Sequence, residues 1–202
     1  GYRVMEIRSL CQLRSDSVSP ARELGDRDFV FVGLSDMEPH TGHMTARTVP
    51  AGSVKGPLHT FCAGDVIYSR LRPGLRKVCL VPPSLPRGLV SSECLVLLPR
   101  VDARGRAILL PELMAHLLRS ELAHAQVAHL VTGIGRPRLS RQTVLSIRLP
   151  VPPARVQRTL LARFERERHA VRKMRARAER LEASASARER RALELPAEYP
   201  LE

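Results

Sequence analysis

The sequence predicts an α+β protein, with a mixed α/β domain over residues 1–150 and a long C-terminal coiled-coil helix over residues 151–202. Three observations predict it. Short β-prone runs bounded by glycine or proline recur between Phe29 and Leu98. Residues 111–131 place Leu113, Met114, Leu117, Leu118, Leu122, Val127 and Leu130 at helical spacing. From Ala154 onward the chain turns highly charged, with a heptad seam.

In chain order, residues 2–14 mix apolar and basic positions and predict a first strand or short helix. Phe29-Val30-Phe31-Val32 predicts a strand, and a polar loop follows from Ser35 to Thr48 with Pro39 and Gly42 as turn formers. Val66-Ile67-Tyr68 is a strand that runs into Ser69-Arg70-Leu71-Arg72-Pro73-Gly74. Val78-Cys79-Leu80-Val81 and Leu89-Val90 continue the pattern between proline-rich turns. Cys94-Leu95-Val96-Leu97-Leu98 is continuously apolar, as expected of a central strand covered on both faces. Pro111 opens the predicted helix over 111–131, and Val144–Leu149 alternates as a strand. In the final segment, Leu160, Phe164, Glu167, Val171, Met174, Ala178, Leu181, Ala185, Arg188, Ala192 and Leu195 follow at steps of four and three. A helix of about 40 residues reaches about 60 Å, too long to lie hidden on a small domain, so a helical partner is expected.

Formal charge is +13, from 33 basic and 20 acidic residues. Lys55, Lys77 and Lys173 are the lysines; arginine supplies the rest, and asparagine is absent. Guanidinium groups offer bidentate forks to phosphate and guanine, and a surface of this sign attracts nucleic acid or anionic membrane. Aromatic residues make up 3% and tryptophan is missing, which leaves few stacking platforms for unpaired bases. Duplex DNA is therefore the favoured nucleic acid. No apolar run approaches the length of a membrane span, and no secretory leader is expected. Cys11, Cys62, Cys79 and Cys94 lack a close paired spacing and read as reduced thiols of a cytoplasmic protein.

The usual catalytic patterns are missing. There is no G-x-x-x-x-G-K phosphate loop and no Glu-x-Lys of a common nuclease centre. The proline pairs Val81-Pro82-Pro83-Ser84 and Val151-Pro152-Pro153-Ala154 do not match the segment an amino-methyltransferase uses. A non-catalytic chain without a cofactor or metal of its own is expected. The pairs His40-x-x-His43 and His59-x-x-Cys62 have a spacing zinc tolerates, but they offer only one thiolate, and a solvated loop with a core thiol explains them better. His116, His124 and His129 read as surface or packing residues of the 111–131 helix.

Two basic turns are the candidate DNA readers. Arg70, Arg72, Arg76 and Lys77 cluster around Pro73-Gly74 with no acid among them. Thr132, Gly133, Gly135, Arg136 and Arg138, with Arg141 close by, form the second. There the glycines let the backbone approach a phosphate and Pro137 stiffens the exit. His43 and Arg47, on the 35–48 loop, are further candidates.

An ordered set of pieces across most of the chain resembles the specificity subunits of type I restriction-modification (R-M) systems. It begins with Gly33-Leu34, Glu38 and Thr41-Gly42, then Phe61-x-x-Gly64-Asp65-Val66-Ile67-Tyr68-Ser69-Arg70-Leu71-Arg72-Pro73 and Lys77. It continues through Gly88-Leu89-Val90-Ser91-Ser92-Glu93, Leu118-x-Ser120, Thr132-Gly133 and Arg138-Leu139 to Pro150-Val151-Pro152-Pro153 and Gln157. The resemblance implies that residues 1–150 form a target recognition domain that reads half of a split DNA site. It implies that residues 151–202 form the conserved-region helix that spaces two such domains. It also implies a methyltransferase (modification) subunit using S-adenosylmethionine and an endonuclease (restriction) subunit needing ATP and Mg2+ as partners in phage defence. A full specificity subunit has two recognition domains and two helices. The chain then fits either a half-subunit that dimerises or one half of a longer protein, and both remain open. The rival readings are the recognition portion of a fused methyltransferase or nuclease, and a non-catalytic basic scaffold.

If two copies pair along the seam, antiparallel order sets Glu167 against Arg188, Met174 against Leu181, Phe164 against Ala192 and Val171 against Ala185. Parallel order would place like charges together, so an antiparallel homodimer is expected.

Overall fold

The computed structural model describes residues 1–193, apart from the side chains of Arg172, Arg175 and Arg190. The chain divides into two compact units, Gly1–Gln157 and Arg158–Glu202.

The first unit opens with β1 (Arg3–Glu6), a single turn of helix α1 (Ile7–Leu10) and β2 (Cys11–Leu13), so the opening segment is strand and helix in succession. β3 (Ser17–Val18) and α2 (Pro20–Glu23) lead into β4 (Asp28–Val32), which pairs antiparallel with β5 (Arg47–Pro50). β6 (Leu58–Cys62), β7 (Val66–Ser69), β8 (Val78–Leu80), β9 (Arg87–Ser91) and β10 (Cys94–Pro99) follow. They assort into a five-stranded sheet ordered β3-β6-β9-β4-β5 and a four-stranded antiparallel sheet ordered β2-β10-β7-β8. In the larger sheet β4 runs parallel to β9, and its other pairs are antiparallel.

The two sheets share one core. Val32, Phe61 and Val90 come from the larger sheet, and Ile67, Cys79, Cys94 and Val96 from the smaller. Each buried side chain of this size contributes about 1.5–3 kcal/mol relative to leaving it in water. β10 lies between β2 and β7, and Cys94–Leu97 are buried, as the unbroken apolar run predicts. Phe31, Leu58 and Leu89 carry a second, smaller cluster. Burial pushes the Cys11, Cys79 and Cys94 thiols up to about 12, which keeps them protonated.

Two local expectations are corrected. The helix over 111–131 is interrupted: α3 (Pro111–Arg119) ends at Ser120, α4 (Glu121–Ala125) restarts after it, and a 3-10 turn covers Ala128–Leu130. Ser120 is extended (ψ 162°), its N–H reaches back to the Leu117 carbonyl, and its hydroxyl donates to the same oxygen. The side chain has captured the carbonyl that a continuing helix would have used. Residues 144–149 are likewise not one strand. α5 (Arg141–Leu145) comes first, because the Ser140 hydroxyl accepts the Thr143 N–H at 3.0 Å as an N-cap. β11 (Arg148–Val151) then pairs antiparallel with β1 and closes the unit on its own beginning.

The final helix α6 (Ala154–Ala192) starts inside the first unit. Gln157, 2% exposed, fixes that start: its carbonyl oxygen accepts the Leu110 N–H at 2.8 Å. Its amide donates to the Ile108 carbonyl at 3.0 Å and the Pro152 carbonyl at 2.9 Å.

Candidate nucleic-acid interface

The two basic turns, distant in sequence, are joined by their main chains. The Arg72 N–H donates to the Pro137 carbonyl at 2.8 Å and the Leu139 N–H to the Arg70 carbonyl at 3.1 Å, with Leu71 and Arg138 paired between them. Thr132 and Arg138 exchange both of their main-chain bonds, at 2.9 and 2.8 Å, so residues 132–138 form a small hairpin seated on the end of β7. The 35–48 loop joins the same place. It folds back on itself through a Met37–Met44 bridge with Met37 fully buried, and the His40 N–H donates to the Leu75 carbonyl at 3.1 Å. Gly42 (φ +77°) packs against Arg119, and a Cβ there would collide with the guanidinium.

Strain gathers at this junction. Among the described residues, the non-glycine positions with positive φ are His40, Arg72 and Arg76. Arg72 and Arg76 flank the tight turn Pro73–Leu75, and each left-handed side chain costs on the order of 1 kcal/mol or more. A surface cavity of about 330 Å³ opens between the three loops, lined by Leu34, Ser35, Arg72, Lys77 and Arg136 among others.

Both turns are acid-free in sequence but not in space. Glu93, arriving from the β9–β10 turn, takes two hydrogen bonds from the Arg138 guanidinium and lies 3.6 Å from Arg136. The bond from Arg138 holds its carboxyl below the ordinary glutamate range, against the opposing effect of burial. Arg76 pairs with Glu121, Lys77 donates to the Leu34 carbonyl at 2.6 Å, and Arg70 donates to the Ser92 carbonyl at 3.2 Å. Arg70, Arg76, Lys77 and Arg138 thus brace the loops against one another. Arg72 and Arg141 carry no ion pair among the described residues, and the Arg136 side chain is 64% exposed. These three are the cations best placed to meet a phosphate.

The remaining candidates lie on the hairpin, the 35–48 loop and β5. His43 is exposed on its loop, with its carbonyl facing the Cys79 thiol. Arg47, on β5, is held by Asp36 at 3.0 Å and lies 5.4 Å over the Phe31 ring. Thr132, Gly133 and Gly135 are exposed hairpin residues. Glu93 and His59 lie beside the basic turns although the sequence offers neither as a DNA-contact candidate. Glu93 belongs to a segment whose turn gave no hint of its partners. His59, on β6, feels Arg141 and Arg70, and its pKa is lowered mainly by burial and then by these two charges. Its Nδ1 and the Nε of Arg70 are both buried without a partner. Among the described residues no group of three or more His, Cys, Asp or Glu side chains gathers as a metal site.

In the second unit, α6 continues to Ala192, and Glu167 pairs with Arg163 one turn earlier at 2.9 Å. Along the seam Val171, Met174 and Leu181 are 49%, 70% and 58% exposed. Leu195, the last seam position, lies outside the described residues. No helix among the described residues is long and apolar enough to cross a membrane.

No family model matches the chain, and no curated protein matches it. Solved structures do. The HsdS subunit from Thermoanaerobacter tengcongensis superposes with a TM-score of 0.73 at 22% identity, over 100% of this chain and 52% of that one. A chain from a structure describing complex assembly and conformational transition of the type I R-M system superposes with a TM-score of 0.76 at 23% identity, again over 100% and 52%. The chain spans about half the length of these solved chains. With its three sheets and long terminal helix, the chain has the fold of one half of a type I specificity subunit.

Proposed function

We propose that the chain reads a short sequence of double-stranded DNA as the specificity component of a type I R-M complex, directing a partner methyltransferase and endonuclease to that sequence. The observation that carries this reading is the pair of arginine-bearing loops zipped together at the end of β7, on a fold shared with HsdS. Arg72, Arg136 and Arg141 contact phosphates or guanine edges, while Arg70, Arg76, Lys77 and Arg138 hold the loops in the reading position. His43 and Arg47 flank this surface from the neighbouring loop and strand. The bond-making chemistry lies on the partners: S-adenosylmethionine on the modification subunit, ATP and Mg2+ on the restriction subunit. The complex works on cytoplasmic DNA as a phage-defence system.

The second half of a split site requires a second recognition domain. The exposed seam of α6 supports its assembly by an antiparallel pair, in which Leu160 through Arg188 of one copy meet the reversed seam of another. Because the chain spans half the length of its structural neighbours, the natural partner of that seam is either a second copy or a second half.

Titrating fluorescent duplex DNA, single strands and RNA with the chain at graded salt tests the reading. Duplex binding should be tightest, and log affinity should fall with log salt by about 0.9 per phosphate contacted. Equal affinity for all three, or no salt dependence, overturns it. Co-expression with a type I methyltransferase subunit should place modified bases at one bipartite sequence.

A further inference from the structure

Ile134 is 107% exposed, the barest large apolar side chain in a unit whose next most exposed, Val4, is at 59%. It sits at the tip of the 132–138 hairpin between Gly133 (φ +96°) and Gly135 (φ +78°). Neither glycine is replaceable at that φ without strain, and at Gly133 a Cβ would also meet the Arg136 carbonyl at 2.9 Å. The tight turn these glycines permit thrusts the one side chain between them outward, away from its own protein.

The surroundings of that side chain are cationic. Arg136 follows two residues later with its side chain 64% exposed, and Arg72 lies across the cavity the two share. A bare β-branched side chain on such a tip is unsuited to an apolar protein partner, whose surface would have to accept the arginines as well. It suits a ligand that is anionic on its rim and apolar at one point inside. Duplex DNA has that layout in its major groove, which is about 12 Å wide and admits a two-stranded ribbon, whereas the minor groove, about 6 Å wide, takes a ribbon only where the duplex is bent open. The apolar feature of the major groove is the thymine 5-methyl group.

We infer that Ile134 enters the major groove and reads a thymine through its 5-methyl group, with Arg136 and Arg72 holding the phosphates on either side. This rests on the DNA-reading role proposed above and names one of its specificity determinants.

The purified full chain is first used to select binders from a randomised duplex pool, and the thymines of the selected sequence are then replaced singly by uracil. At one position the loss of the methyl should weaken binding about fourfold, the worth of one buried methyl-sized group. Ile134→Ala should bind the thymine and uracil duplexes alike, with unchanged melting temperature because the side chain touches nothing in its own fold. If no salt-sensitive sequence is selected, the DNA-reading role itself fails. If a sequence is selected but no uracil substitution matters, the inference fails. It fails equally if Ile134→Ala keeps the parent's preference for thymine over uracil.

Discussion

Gln157 offers the sharpest test of how the start of α6 is fixed within the first unit. The side chain is buried, spends both amide N–H donors on the Ile108 and Pro152 carbonyls, and accepts the Leu110 N–H. Gln157→Ala removes three hydrogen bonds at about 1 kcal/mol each, so a loss of about 3 kcal/mol is expected. With a urea slope of about 2 kcal/mol/M, the unfolding midpoint should fall by about 1.5 M. Gln157→Glu is nearly isosteric but presents a carboxylate to two carbonyl oxygens that now receive no donor. It should destabilise more than alanine at neutral pH, and the excess over alanine should shrink in acid as the protonated carboxyl regains one donor. Urea unfolding of the three proteins by far-UV circular dichroism at neutral pH and near pH 5 measures both effects. A midpoint shift for Gln157→Ala under about 0.3 M, or a glutamate variant as stable as the parent, would refute the reasoning.

Three further outcomes are expected. Arg72→Ala and Arg141→Ala should each lower the salt slope of duplex binding by about 0.9 in a fluorescence titration; an unchanged slope removes that residue from the phosphate contacts. On the helix seam, Glu167→Arg or Arg188→Glu alone should weaken self-association in analytical ultracentrifugation while the double exchange restores it, and a monomer at high concentration rules out self-pairing. For His59 the folded pKa lies below the unfolded value, so its contribution to stability is complete above about pH 6.5 and is lost as the pH falls below it, the unfolded chain taking up the proton first. His59→Gln should flatten the pH dependence of the urea midpoint in that window, ahead of the loss from protonating Glu93 at lower pH.

Much of the fold is legible in the sequence because the apolar runs are short and cleanly punctuated. Cys94–Leu97 reads as a covered strand for the physical reason that it is one: neighbours on both edges and both faces. The failures are local competitions. At Ser120 and Ser140 a hydroxyl decides between continuing and capping, and apolar periodicity does not register that choice. The two arginine turns are legible as separate clusters, whereas their joining through Leu71 and Arg138 depends on main-chain bonds that carry no side-chain signature. The pairing of Glu93 is illegible for a related reason: it depends on which loop ends beside the residue, and 45 positions separate Glu93 from Arg138.

The hydrogen bonds between Arg72 and Pro137 and between Leu139 and Arg70 have a consequence for re-engineering. Transplanting only one of these loops into a related protein would strand main-chain donors and acceptors at the end of β7. The transplantable cassette is therefore discontinuous, comprising residues 70–77, Glu93 and residues 132–139 moved together. Chimeras cut at that grain should stay folded, while those that divide it should lose the geometry of both loops at once.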